Sequence, residues 1–376
     1  MQKSLNVLIL GASYGSLLAT KLLAAGHNAT LVCRAATADL INREGTRVRL
    51  PLKGREPVEI DSRTLPGQLW ASTPASVDPS DYDLVALAMQ EPQYGSAGVR
   101  ELLDRVARAR VPCLSIMNMP PLPYLQRVPG IDAGSLTSCY ADASVWQNFD
   151  PAVLTLCSPD PQAFRPPEEA ANVLKVTLPT NFKVARFESD ADTALLRRLE
   201  ADIEAVRYEV DGESVDLPVK LKVHDSLFVP LAKWAMLLTG NYRCVTAEGA
   251  RSIREAVHTD PDASRAVYDW VRELCIGLGA APEDLVPFEK YAAAAEGLSR
   301  PSSAARALSA GAVAIERVDR LVQAVAAARG LHHPVVDGTV ALVEAALLAN
   351  RKAAAPEVVR SEMRSPQAGI DRKVAA

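Results

Sequence analysis

The sequence predicts an α/β protein in which a parallel sheet is followed by a second, all-helical domain. Three observations support this fold class. An apolar run at 7–10 leads into a glycine-rich turn and then into apolar residues at helical spacing. A β-rich segment follows at 28–33, so the beginning of the chain forms a βαβ unit, whose strands are parallel. From Ser226 onward, helical periodicity continues almost to the end.

The remaining elements follow from the same patterns. Continuous apolar runs predict buried parallel strands at 83–89 and 112–117. Residues 48–60 mix charged and apolar side chains and predict short strands or a hairpin outside the main crevice of the sheet. A β-like, proline-rich stretch at 135–187 precedes a helix at 192–206. Further helices are predicted at 228–238, at 263–278, around 304–329 and at 335–349.

The length of 376 residues exceeds what one compact core usually holds, which predicts two domains. We assign 1–222 to the sheet domain with its extra β-rich segment and 223–350 to a helical domain that binds substrate or a second subunit. The last stretch, 351–376, is rich in charge, alanine and proline and lacks apolar periodicity. We therefore expect a mobile tail there.

Composition excludes several functional classes. A chain with 48% hydrophobic and 23% charged residues is globular rather than disordered or fibrous. A net charge of −4 gives no general attraction to nucleic acid or to an anionic bilayer. No apolar run approaches the roughly 20 residues that span a membrane. The six cysteines are widely spaced and form no CxxC pair, which favours a reducing cytoplasm and argues against a thiolate metal site. We predict no metal.

The turn after the first strand reads Gly11-Ala12-Ser13-Tyr14-Gly15-Ser16 and lies where dinucleotide-binding folds have G-x-G-x-x-G. Gly11 can make the tight turn, Gly15 can let the helix approach the strand, and Ser13 replaces the glycine nearest a pyrophosphate. The same letters spell the G-x-S-x-G of a hydrolase nucleophile elbow, but an elbow requires several preceding strands. A βα turn without any ligand is the third alternative.

The second strand ends at Val32-Cys33-Arg34, and no carboxylate follows until Asp39. In dinucleotide folds an acidic residue at this place binds the ribose 2′-hydroxyl, whereas an arginine accommodates a 2′-phosphate. The sequence therefore favours NADP over NAD. A solvated surface arginine is the alternative interpretation.

These segments resemble the ketopantoate reductase (2-dehydropantoate 2-reductase) family. The similar segments are 6–27, the second strand at 31–34, the strand at 83–90, Pro301-Ser302-Ser303 and 314–334. The resemblance implies a Rossmann-type domain paired with a helical domain, and NADPH-dependent reduction of a 2-oxo acid. It also implies that NADP is bound by Gly11, Ala12, Ser13, Tyr14, Gly15, Ser16, Arg34, Met89, Gln90, Gln93 and Asn118.

Three positions depart from the family pattern. Gln90 replaces a lysine near cofactor and substrate, although Gln93 matches a later glutamine. The catalytic lysine of the family falls on Ala235 or Met236. Its acid falls on 314 or 315, with Glu316 nearby but predicted on another face of the helix. The chain is thus interpreted as a divergent member that lacks the family's catalytic lysine and acid.

Other candidate catalytic residues match positions of the family or lie near them. Asn118 matches an asparagine that closes the cofactor and substrate site in the family. Ser303 matches a serine on the substrate side, and Asn241 lies in the helix segment that carries the family's substrate-binding asparagines. Lys233 is the nearest cation to the lost lysine and lies two turns before Asn241, so we predict it as the proton donor; a solvated helix lysine is the alternative. About 40 residues more than in the family separate Asn118 from Trp234, a length at which loops acquire functions of their own.

The leading hypothesis is an NADPH-dependent reductase that acts on a 2-oxo acid, a related carbonyl or an imine in the cleft between the domains. We expect a small-molecule substrate that differs from ketopantoate, and a homodimer is one assembly to test. Reductive amination of the opine dehydrogenase type is one alternative. A non-catalytic NADP-binding protein is another, because the lysine and the acid are replaced.

Overall fold

The computed structural model describes residues 3–355. Its strands are β1 (Asn6–Leu10), β2 (Asn28–Val32), β3 (Arg47–Leu50), β4 (Val58–Asp61), β5 (Leu69–Ser72), β6 (Leu84–Leu87), β7 (Cys113–Ile116), β8 (Leu154–Ser158), β9 (Gln162–Phe164), β10 (Val173–Leu178), β11 (Phe182–Ala185), β12 (Tyr208–Val210), β13 (Glu213–Val215), β14 (Leu221–His224), β15 (Val245–Thr246) and β16 (Gly249–Ala250). Its α-helices are α1 (Gly15–Ala24), α2 (Ala35–Glu44), α3 (Val99–Ala109), α4 (Leu122–Leu125), α5 (Asp190–Ala205), α6 (Lys233–Met236), α7 (Ile253–His258), α8 (Pro261–Gly277), α9 (Phe288–Ala295), α10 (Ser303–Ser309), α11 (Val318–Ala327) and α12 (Pro334–Ala354).

An eight-stranded sheet has the order β14-β11-β8-β7-β6-β1-β2-β5. From β5 to β8 every neighbouring pair is parallel, and β11 reverses direction against β8. Because the chain passes from β1 to β2 on one side and later to β6 on the other, the carboxyl ends of β1 and β6 flank a crevice. Ligands of open α/β sheets bind at such a switch point. The sheet and the helices beyond it confirm the predicted fold class.

A second sheet, of order β4-β3-β10-β9, combines two parts of the chain that are distant in sequence. β3 and β4 are antiparallel, as the mixed pattern at 48–60 predicts. β10 comes from the proline-rich stretch and pairs with β3 in parallel, while β9 pairs with β10. The proline-rich stretch thus contributes β9 and β10 to this second sheet and β8 and β11 to the large sheet.

The last strand of the large sheet ends at His224, and helices follow it. This part of the chain is helical, as predicted, and also contains the small hairpin β15–β16, whose strands have two residues each. The single long helix expected around 304–329 is wrong: α10 ends at Ser309 and α11 begins at Val318. Gly311, with φ of +86°, lies just past the end of α10, a conformation that stops a helix and favours glycine.

Two apolar cores stabilise the molecule. One lies on the face of the large sheet that packs against α3 and is continuous with the interior of the helical region. The other lies beneath α1, α5 and the second sheet. None of the helices within 3–355 is long and apolar enough to cross a membrane. α12 extends to Ala354, so the first residues of the expected mobile tail are helical; the rest of that tail, from 356, lies outside the described residues.

Candidate active site

The glycine turn brings β1, α1 and the end of β6 into close contact. Gly11 has φ of +107°, and a Cβ added there would lie 2.6 Å from Met89 Cγ and 2.7 Å from the Ala88 carbonyl oxygen. A Cβ added to Gly15 would lie 2.7 Å from Ile9 Cγ2. Both positions therefore require glycine, and Gly15 has the helix-to-strand packing role that the sequence suggests.

The side chains of the turn face different environments. The Ser16 hydroxyl donates a hydrogen bond to the Ala12 carbonyl at 2.5 Å. The Tyr14 hydroxyl donates to the Pro161 carbonyl at 2.8 Å, and its ring packs edge-on against Phe182. Ser13 alone is exposed among these three. The N–H groups of Ser16 and Leu17 already donate to the Ser13 and Tyr14 carbonyls, both at 3.1 Å. The exposed Ser13 hydroxyl is therefore a donor of the turn that a ligand can reach.

Arg34 lies exposed just past the carboxyl end of β2, where it precedes α2. Arg165, from the segment after β9, reaches the same edge and donates a hydrogen bond to the Ala12 carbonyl at 2.7 Å. Sequence analysis did not identify Arg165, because its approach depends on the pairing of two sheets that are remote in sequence.

A small pocket lies beyond the carboxyl ends of β6 and β7, between the two parts of the chain. Its lining includes four residues predicted from the sequence, Gln90, Asn118, Asn241 and Ser303. The remaining lining residues are Leu237, Tyr242, Ala304, Ala307 and Glu316. The side-chain oxygen Oδ1 of Asn118 is buried and has no hydrogen-bond partner among the described residues. An unpaired buried acceptor beside a pocket is the kind of group that a ligand would satisfy.

Glu316 is the main correction to the predicted site. It lies in the non-helical stretch between α10 and α11, so the expectation that it occupies another helix face does not hold. Its carboxyl group accepts hydrogen bonds from Asn118 Nδ2 and from the Glu91 N–H, both at 3.3 Å. Tyr242 fixes its backbone by donating to the Glu316 carbonyl at 2.6 Å. Burial raises the pKa of Glu316, and its hydrogen bonds oppose that rise only in part.

Glu91 is a second buried carboxyl group that sequence analysis missed. The Ala141 N–H donates to both of its carboxyl oxygens, at 3.1 and 3.2 Å. Burial raises the pKa of Glu91 to about 7, and the neighbouring Glu316 adds to the rise. Its position shortly after the apolar strand β6, which ends at Leu87, was an available signal, since ligands bind at the carboxyl ends of parallel strands.

Lys233 does not line this pocket. Its ammonium group donates to the Pro159 carbonyl at 2.6 Å and lies 3.5 Å from Asp160 Oδ1. Asp160 also pairs with Lys183 at 3.1 Å. Burial lowers the pKa of Lys233, while Asp160 acts against that change. Lys233 therefore joins α6 to the loop after β8. Asn241 lies in a π-helical turn, Leu237–Asn241. This turn removes the regular α-helical spacing between Lys233 and Asn241 that the sequence analysis assumes.

Gln93 is held at a helix start. Its Oε1 accepts a hydrogen bond from the Gln90 N–H at 3.0 Å, which caps the short 3₁₀ turn Glu91–Gly95. Met89 lies half-buried beside Gly11, and its N–H donates to the Tyr94 hydroxyl at 3.1 Å.

Neither a scan of protein-family models nor a search of curated proteins gives a match. Solved structures do match over nearly the whole chain. A 2-dehydropantoate 2-reductase from Methylococcus capsulatus has a TM-score of 0.61 and 15% identity, with 94% of this chain and 99% of that chain covered. The chain has the fold of the ketopantoate reductases. A dimeric ketopantoate reductase from Staphylococcus aureus shares this fold at a TM-score of 0.57 and 12% identity, covering 92% and 100%.

The same fold occurs in a D-mandelate dehydrogenase whose structure contains NADH and anilino(oxo)acetate. That structure matches at a TM-score of 0.61 and 14% identity, with 92% of this chain and 99% of that chain covered. The fold that the sequence resemblance implies is thus confirmed by structural comparison.

Proposed function

We propose that this protein is an NADPH-dependent reductase of a 2-oxo acid or of a related carbonyl or imine. One observation carries the proposal: Asn118, Asn241, Ser303 and a buried Glu316 converge on one pocket beyond the carboxyl ends of β6 and β7. The structural neighbours support the reaction class, since they include ketopantoate reductases and a D-mandelate dehydrogenase with NADH. Dimer formation, as in one of these neighbours, is also a proposal for this chain.

The residues along the sheet edge fit a dinucleotide. The tight turn at Gly11, the exposed Ser13 and the positive end of the α1 dipole suit the pyrophosphate. Arg34 suits a 2′-phosphate, which is why we propose NADP rather than NAD. Met89, Gln90 and Asn118 would lie toward the nicotinamide end. When NADPH is bound, its reduced nicotinamide supplies the hydride.

Hydride addition to a C=O or C=N bond leaves charge on the heteroatom, which a neighbouring acid must neutralise. Glu316 is our first candidate for this acid, because its raised pKa keeps the carboxyl group protonated at pH values where an exposed glutamate is ionised. Asn118 both holds the Glu316 carboxyl group and presents its free oxygen. Asn241 and Ser303 are the proposed contacts for the polar groups of the substrate.

Lys233 is the second candidate donor. To act, its ammonium group must leave Asp160 and the Pro159 carbonyl. The two candidates predict opposite mutational results. If Glu316 is the donor, Glu316→Gln should lower kcat by about 10²–10⁴-fold while Lys233→Met retains most of it. The reverse result would assign the proton to Lys233.

The proposed function is tested by titrating NADPH and NADH and then measuring NADPH oxidation with a panel of 2-oxo acids. The panel should be repeated with amines or amino acids present, because reductive amination would oxidise NADPH only then. Binding of NADPH without oxidation by any carbonyl or imine would instead favour the non-catalytic alternative.

A further inference from the structure

The loop that follows β8 extends over the start of α1. Its Pro161 carbonyl accepts the Tyr14 hydroxyl, and Arg165 bonds to the Ala12 carbonyl. Between these two contacts, β9 is held by its pairing with β10, which in turn pairs with β3. The second sheet thereby fixes Arg165 beside the glycine turn rather than leaving it on a free loop.

Arg165 and Arg34 place two positive charges at the same end of β2. Burial is the main cause that lowers the pKa of Arg165, and the charge of Arg34 lowers it further; only the Cys33 thiol acts in the other direction. No ion pair to a carboxylate is formed by either arginine within 3–355. By contrast, the buried Arg317 pairs with both Asp319 and Glu344.

This arrangement costs free energy unless an anion is present. Two like charges repel each other, and half-burial of Arg165 weakens the screening by water. The Arg165 guanidinium donates one hydrogen bond, to Ala12, although the group has five N–H donors. The remaining donors and the charge of Arg34 suit a phosphate group, which guanidinium groups bind in a bidentate manner.

We propose that Arg165 and Arg34 together bind the 2′-phosphate of NADPH, so that the segment after β9 sets the cofactor preference jointly with β2. This inference rests on the proposed function. The 2′-phosphate is the group proposed because the Gly11 N–H, next to Ala12, donates to the Val32 carbonyl at 2.9 Å, so that the bond of Arg165 to Ala12 brings it to the end of β2 that leads into Arg34. Dinucleotide folds bind the ribose at this end of the second strand.

The test measures binding of adenine nucleotides that correspond to parts of the cofactor, so no turnover is needed. Adenosine 2′,5′-bisphosphate and ADP are titrated by calorimetry against the full chain, and NADPH and NADH are titrated alongside. The wild type should bind the 2′-phosphorylated ligand of each pair more tightly. Arg165→Gln, which can still donate to the Ala12 carbonyl, should lose about one to two decades of affinity for adenosine 2′,5′-bisphosphate and NADPH, and little for ADP and NADH.

Arg165→Lys should retain part of the affinity, since a lysine keeps the charge but loses the bidentate geometry. Arg108→Ala, an exposed arginine on α3, serves as the matched control and should change neither affinity. Thermal denaturation of each variant verifies folding.

The inference is overturned if Arg165→Gln weakens ADP and adenosine 2′,5′-bisphosphate equally, because the residue would then act on a shared phosphate or on the fold. It is also overturned if the wild type prefers NADPH and Arg165→Gln leaves that preference intact, a result that spares the proposed function. A wild type that binds neither dinucleotide would overturn the proposed function as well.

Discussion

Replacement of Glu91 by glutamine should remove most of a pH-dependent loss of stability. Burial raises the pKa of this carboxyl group from the ordinary glutamate value of 4.5 to about 7. Because its pKa is raised in the folded state, the native protein binds more protons than the unfolded chain between these two values. The contribution of Glu91 to the free energy of unfolding therefore falls as the pH rises from about 4.5 to about 7, and it stays constant above that range.

The magnitude follows from the size of the shift. Each pKa unit corresponds to about 1.4 kcal/mol, so ionisation of Glu91 should cost roughly 3 kcal/mol in full and roughly 2–3 kcal/mol of it between pH 5 and 8. Glutamine keeps an oxygen that accepts the Ala141 N–H but has no proton to lose. The Glu91→Gln variant should therefore gain this amount relative to the wild type at pH 8.

The assay is urea unfolding of both proteins at pH 5 and pH 8, followed by tryptophan fluorescence. The matched control is Glu273→Gln, which replaces an exposed glutamate on α8. It should change the free energy of unfolding by the same amount at pH 5 and at pH 8. If the stability difference between Glu91→Gln and wild type is the same at both pH values, the carboxyl group is not buried as described. A raised pKa of Glu316 would then be contradicted as well, because its carboxyl group is buried next to Glu91.

Three further predictions follow from the sheet edge. Arg34→Ala should weaken NADPH by about one to two decades and leave NADH unchanged in a fluorescence titration; equal affinities of the wild type for the two cofactors would refute the assignment. Ser13→Gly should preserve or improve cofactor binding, and labelling of Ser13 by a serine-hydrolase probe would contradict that role. Gly15→Ala should lower the unfolding free energy by about 1–3 kcal/mol, because its Cβ would lie 2.7 Å from Ile9 Cγ2. Gly338→Ala on α12 is its control: no atom lies within 4 Å of the added Cβ, so urea unfolding should show no loss.

The beginning of the fold was predictable because its signals are local. The apolar strand β1, the glycine turn and α1 are adjacent in sequence, and the steric demands on Gly11 and Gly15 come from strands β1 and β6, which were themselves predicted. The hairpin β3–β4 also follows from its own pattern. By contrast, the parallel pairing of β3 with β10 joins distant segments, and no local pattern indicates it.

The candidate site depends on the family resemblance rather than on local patterns. Three residues named from that resemblance, Asn118, Asn241 and Ser303, line one pocket. Glu316 was misplaced because one glycine, Gly311, interrupts an otherwise helical pattern and changes the direction of everything after it. Lys233 is predicted from its sequence position as the proton donor, but its ammonium group contacts Asp160 and the Pro159 carbonyl in a loop that is remote in sequence. Tertiary contacts of this kind cannot be read from spacing along a helix.

The reductase activity is tested most directly by measuring NADPH oxidation by the full chain with a panel of 2-oxo acids, with and without amines, and by identifying the product by its mass. At least one substrate should be reduced to its 2-hydroxy acid or 2-amino acid, and Glu316→Gln should abolish most of this turnover while NADPH affinity is retained. NADPH binding with no oxidation across the panel would contradict the proposed function, and full activity of Glu316→Gln would contradict the role of Glu316 as proton donor.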